Sequence, residues 1–230
     1  MNTLQSQNAL HIERLFKLPN GFVESLSEES DWGYVIKVHA LFESLFTQFL
    51  VEKIGVDEIR SEIYKLPMNG KPSKVSFLKS LDAFESVHSS NINGFIGALS
   101  QLRNLIVHHA EQLNFSFDDN FEGIENIDGL FFFPLKLFMD SYPDAIRDNG
   151  GKTPSKEILK KLSKQALGEN PRYYFEMTVD LVLCLMSLYV ENASINNEND
   201  FINKQIKELS VDIVGRITAS NILDKDEQVE

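Results

Sequence analysis

Asn91-Ile92-Asn93-Gly94-Phe95-Ile96-Gly97-Ala98-Leu99-Ser100-Gln101-Leu102-Arg103-Asn104-Leu105-Ile106-Val107-His108 carries the pattern of one amphipathic helix. Ile92, Phe95, Ile96, Leu99, Leu102 and Ile106 recur at three- and four-residue steps, which wind onto one side of a helix at about 100° per residue. Arg103 falls inside that face, between Leu99 and Ile106. A charge there is costly unless it is paired, holds an anion or lines a polar cleft. One helix thus brings together a permanent forked cation suited to phosphate and, in His108 and His109, side chains that exchange protons near neutral pH.

Working outward, the same period fills most of the chain and predicts an all-α architecture. Leu4 to Leu18 reads as a short amphipathic helix ended by Pro19-Asn20-Gly21, a turn signal. Asp31 is the expected N-cap of a long helix to about Ile54, with Val35, Val38, Leu41, Phe42, Leu45, Phe46 and Phe49 as its apolar stripe. Pro67 to Ser73 is a loop, and Phe77, Leu78, Leu81, Phe84 and Val87 build the next helix, which leads directly into the Arg103 helix. Leu130 to Phe133 reads equally as a short strand or as a buried turn before a helix through Met139. Thr153-Pro154 gives an N-cap with proline at the first helical position, and Gly168 marks the stop. Tyr173 to Tyr189 is apolar nearly all round, as a central bundle helix is. Phe201 to Val214 holds a last helical pattern, with a fraying polar end from Asp224.

Composition narrows the function classes. With 230 residues and 43% hydrophobic content the chain can bury a substantial core. A net charge of −12 argues against a general coater of nucleic acid, because phosphate neutralisation supplies most non-specific affinity, yet it leaves room for a local basic cleft. The single cysteine, Cys184, stands among Leu181, Val182, Leu183, Leu185 and Met186 and reads as a small buried hydrophobe, so neither disulfides nor a zinc cluster is indicated. There is no basic flank with an apolar core at the N-terminus, and no uninterrupted apolar run near 18 residues. A cytoplasmic protein with no membrane partner is expected.

Arg103-Asn104-x-x-x-His108 on a late helix, after an earlier helix reading Val38-His39-Ala40-Leu41-Phe42-Glu43-Ser44-Leu45, resembles a HEPN domain. The resemblance runs from about Asp31 to His109 with one supporting later helix. It implies an all-α, HEPN-like helical bundle: an N-terminal helical extension over 1–30, the bundle over 31–195 with an inserted helical segment at about 118–170, and a C-terminal helix and tail over 196–230. Active members of the family resemble one another in an Arg-x4-6-His motif that forms a metal-independent ribonuclease site across a two-fold dimer, in toxins, abortive-infection factors and defence effectors. The branch whose motif continues His-x-Tyr has that tyrosine modified by its partner enzyme; here the position is Ala110.

Carried onto this chain, the resemblance implies cleavage of RNA by its own 2′-hydroxyl, leaving a 2′,3′-cyclic phosphate and a 5′-hydroxyl, with no cofactor or metal. His108 removes or donates a proton, Arg103 stabilises the phosphorane oxygens and Asn104 orients His108 or the phosphate. His109 is the alternative to His108. The implied partners are an RNA substrate, a second copy completing a shared site, and an antitoxin or regulatory protein. On an ideal helix Arg103 and His108 stand about 140° apart, so the motif does not close on itself within one regular helix. Either the helix loosens near Val107, or the long arginine reaches round, or two subunits assemble the pair.

Other features carry less. Lys156, Lys160 and Lys164, in register with Lys152, form a basic row that reads as an RNA-backbone contact or as an ordinary solvated face opposite Ile158, Leu159, Leu162 and Leu167. His39 and Glu43, one turn apart, read as a metal pair or as the polar edge of their helix. Asp118-Asp119 reads as turn chemistry. His11 and His88 show no companions. Two readings of other classes remain: a non-catalytic HEPN-like dimeric scaffold or regulator that binds a nucleotide or a partner protein, and a helical interaction protein with a chance motif.

Overall fold

The computed structural model describes residues 3–16, 18–54, 57–108, 114–117, 127–141 and 155–194. They are 81% helical with no strand among them, so the chain is all-α. The helices are α1 (Thr3–Leu15), α2 (Phe22–Ser25), α3 (Asp31–Ile54), α4 (Arg60–Lys65), α5 (Lys74–Ser80), α6 (Ser86–His108), α7 (Gly129–Ser141), α8 (Lys156–Glu169) and α9 (Pro171–Ser194). The expected C-terminal helix over 196–230 lies outside the described residues.

Four of these form the centre. α3 packs on α6 and α9, and α7 packs on α6, α8 and α9. Their shared core holds Val35, Phe42, Leu45 and Phe49 of α3, Ile92, Phe95, Leu99 and Ile106 of α6, Leu130 and Leu137 of α7, and Phe175, Val182 and Met186 of α9. Edge-on ring pairs lock the crossings: Phe42 on Phe95 at 5.4 Å, and Tyr34 on Phe175 at 5.7 Å. α3 and α9 are long and apolar enough to cross a membrane, yet 61% of each such stretch is buried inside this bundle. α1 joins the core through Ile12, and the buried carboxylate of Glu13 accepts the backbone N–H groups of Gly21 and Val23, each at 2.9 Å, at the start of α2.

Local chemistry corrects several boundaries. The N-cap of α3 is Ser30, whose Oγ accepts the N–H of Gly33; Asp31 is the first helical residue and its carboxylate serves elsewhere. One oxygen takes Arg172 at 2.8 Å, and the other accepts the N–H of Phe117 at 2.7 Å, tying α3 to α9 and to the 114–117 turn. The helix expected from Phe77 to Val87 breaks in two. α5 stops at Ser80, Asp82 takes a left-handed φ of 45°, and α6 begins at Ser86; Phe77 and Leu81 stay partly exposed while Phe84 is buried. Leu130 to Phe133 is helical, the first full turn of α7. α8 starts two residues later than expected, with Ser155 as N-cap, its Oγ accepting the N–H of Ile158; Thr153 and Pro154 lie outside the described residues. Asn170 ends α8 and begins α9, its side chain accepting the N–H of Tyr173 with Pro171 at the first helical position.

Candidate functional site

The C-terminal half of α6 lies antiparallel along α3. Trp32 Nε1 donates to the carbonyl of Ile106 at 3.2 Å, His39 Nε2 meets Ser100 Oγ at 3.1 Å, and Phe42 meets Phe95. The Trp32 bond satisfies one of the last carbonyls of α6, which a helix end leaves without an intrahelical partner. It pins the turn that carries the motif.

Arg103 sits at the margin of the buried face. Ser100 on one side, and Leu99, Leu102 and Ile106 beneath, are buried, whereas Arg103 is half-buried and its Nη1 donates to the side-chain Oδ1 of Asn104 at 3.0 Å. Among the described residues no carboxylate pairs with its guanidinium. Intermediate burial at the margin of an apolar stripe is the usual compromise for a long cation, whose stem is apolar and whose head is charged. Asn104 and His108 are exposed on the same face, four residues apart, and α6 is regular as far as His108. Within one subunit Arg103 and His108 therefore diverge. His109 lies outside the described residues.

The histidine that does meet the Arg103 face comes from α3. His39 is half-buried, and its hydrogen-bonding partner Ser100 also accepts Asn69 Nδ2 at 2.6 Å. Burial pushes the His39 imidazole below its ordinary value, Glu43 works against that, and the charges of Arg103 and Lys74 lower it further. Beside it, Lys74 is wholly buried and spends its ammonium hydrogens on Glu43 Oε1 at 2.9 Å and the carbonyls of Leu66 and Tyr64 at 2.6 and 3.2 Å. Glu43 is thus committed to a buried lysine. Among the described residues no group of three His, Cys, Asp or Glu stands close enough to hold a metal ion.

Sequence reasoning left His39 as a helix edge because its partners, Asn69 and Ser100, are distant in the chain and carry no spacing rule. The available signal was that His39 and Glu43 share a face one turn apart on a helix otherwise apolar there. His11 and His88 also have companions, both on α9: Glu191 Oε1 at 3.0 Å and the Tyr189 hydroxyl at 2.6 Å. Cys184 has its thiol pushed up to about 12, by burial first and then by Asp180 and Glu191, so it is held as an inert thiol.

Lys156, Lys160 and Lys164 are all exposed in one row along α8, beside the strip that buries Leu159 and Ser163, and the helix packs on α7 and α9. Ile158, expected on the buried side, is half exposed. Lys152 and Asp118-Asp119 lie outside the described residues. No protein-family model, curated protein or solved structure matches the chain.

Proposed function

We propose that the protein is a metal-independent endoribonuclease of the HEPN kind, a cytoplasmic toxin or antiviral-defence effector that acts as a homodimer. The observation that carries the reading is Arg103: a guanidinium held at the edge of a buried helix face, beside Asn104, with no carboxylate neutralising it among the described residues. A helix that needed only packing would carry a hydrophobe there, whereas an unneutralised forked cation suits a phosphodiester. In the proposed reaction O2′ bonds to phosphorus, the bond to O5′ breaks, and Arg103 stabilises charge on the non-bridging oxygens. Because Arg103 and His108 diverge on a regular helix, a two-fold pairing of α6 helices joins one subunit's arginine to the other's histidine. An antitoxin or regulatory protein is a further proposed partner.

The exposed lysine row of α8 is the proposed contact for the RNA backbone in an otherwise acidic protein. The test is incubation of total RNA in EDTA with the wild type, Arg103→Ala, His108→Ala and His109→Ala. Loss of cleavage in Arg103→Ala and in one histidine variant supports the nuclease. A wild type that binds nucleotide or a protein partner without cutting RNA favours the second reading, a HEPN-like dimeric scaffold, to which the acidic surface lends support.

A further inference from the structure

The crossing of α3 and α6 contains a group that the Arg-x4-6-His motif leaves out. His39 Nε2 is 3.1 Å from Ser100 Oγ, and Ser100 stands three residues before Arg103, on the same face of α6. Ser100 is itself fixed by Asn69, which donates to its hydroxyl at 2.6 Å and to the carbonyl of Ile96 at 3.4 Å. The ring of His39 is therefore oriented by a held hydroxyl. Of its two neutral tautomers, the one that donates Nε2–H to Ser100 leaves Nδ1 bare, with its lone pair free to take a proton. The ring is half-buried rather than sealed, so a substrate group can reach it. Among the described residues, the charged groups acting on it are Glu43 of its own helix, Arg103 of α6 and Lys74 of α5. Lys74 and Glu43 are occupied with one another, which leaves Arg103 as the cation of this cluster without a carboxylate among the described residues.

We propose that His39 is a catalytic residue of the Arg103 site: a phosphodiester seats between the Arg103 guanidinium and the His39 imidazole of one subunit, and His39 serves as the base. This rests on the ribonuclease reading. The proton of the 2′-hydroxyl passes to His39 Nδ1 as O2′ bonds to phosphorus. The P–O5′ bond breaks, and O5′ takes its proton from the protonated His108 of a second copy. His39 ends protonated and His108 neutral, and exchange with water restores both. Base and acid then come from different helices of different subunits, which answers the divergence of Arg103 and His108 along α6.

The site has a readout that needs no cleavage. An anion placed between the two side chains masks the Arg103 charge and favours the imidazolium, so phosphate binding and His39 protonation are coupled in both directions. The experiment titrates histidine-labelled wild type and Arg103→Ala by NMR, with and without inorganic phosphate, and records cleavage against pH for the wild type and His39→Gln. Glutamine keeps a donor for Ser100 but cannot take a proton, so it separates the fold from the chemistry; urea unfolding of both variants checks that they fold. The expected results are an upward move of the His39 titration on adding phosphate, seen in wild type and absent in Arg103→Ala, and a cleavage rate about 100-fold lower in folded His39→Gln with the acidic limb of the pH profile gone. A His39 titration indifferent to phosphate, or a folded His39→Gln that cuts RNA with the wild-type profile, overturns the proposal. Phosphate coupling in a wild type that cuts no RNA keeps the anion seat and overturns the ribonuclease reading together with the role of His39 as base.

Discussion

The ring of Phe133 lies over Gly94 so closely that a Cβ on that glycine would stand 2.5 Å from the ring. This contact sets α7 on the helix that carries Arg103, and Gly129 adds a second, less tight approach, a Cβ there falling 3.2 Å from the Ala98 Cβ. Gly97, one turn along the same helix, has open space around it.

The two glycines of α6 therefore respond oppositely to alanine. Gly94→Ala forces the Phe133 ring aside and should destabilise by about 1–3 kcal/mol, the range for overpacking a filled contact. Gly97→Ala meets nothing and should stabilise by up to about 1 kcal/mol, the helix-propensity difference. Urea unfolding of both decides; equal effects would mean that α7 does not seat on Gly94.

The long helices α3, α6 and α9 are legible because they bury apolar residues at three- and four-residue steps, and the stripes on α3 and α6 are the ones found in the core, whereas the short α2 and α4 carry no such pattern. Legibility failed where a side chain's partner is remote. Asp31 reads as an N-cap, yet Ser30 caps the helix and Asp31 holds Arg172, 141 residues away. Likewise Leu81 continues the apolar period past Ser80, but the left-handed turn at Asp82 breaks the helix before Phe84. At the site, Arg103, Asn104 and His108 are visible as spacing on one helix. His39, Ser100 and Asn69 come from three segments and are joined only by folding.

Acid should weaken the fold through His39. Its folded titration lies below the ordinary 6.5, mainly from burial, so above 6.5 the ring is neutral in both folded and unfolded chains and its contribution is complete. As pH falls from 6.5 through the folded value, the unfolded chain takes up a proton that the folded one resists, and stability is lost. Urea midpoints of the wild type should fall more steeply over this window than those of His39→Gln. Parallel curves would contradict the burial argument.

Replacing Lys156, Lys160 and Lys164 together with glutamate should leave the fold intact, since all three are exposed, and should slow RNA cleavage while flattening its salt dependence. Unchanged cleavage and unchanged salt dependence would remove α8 from the RNA path.

Mixing the two inactive variants Arg103→Ala and His108→Ala tests the shared site. In a mixed dimer one of the two composite sites regains both an arginine and a histidine, so activity should return to about a quarter of wild type at equal mixing, half of the dimers being mixed. A mixture as inactive as its parts would place the working pair within one chain.

The most direct test of the account is the chemistry of the RNA ends left in EDTA by wild type and by folded Arg103→Ala. Wild type should leave 2′,3′-cyclic phosphates and 5′-hydroxyls, and Arg103→Ala should leave the RNA uncut. Uncut RNA with both proteins, or identical cleavage by both, would contradict it.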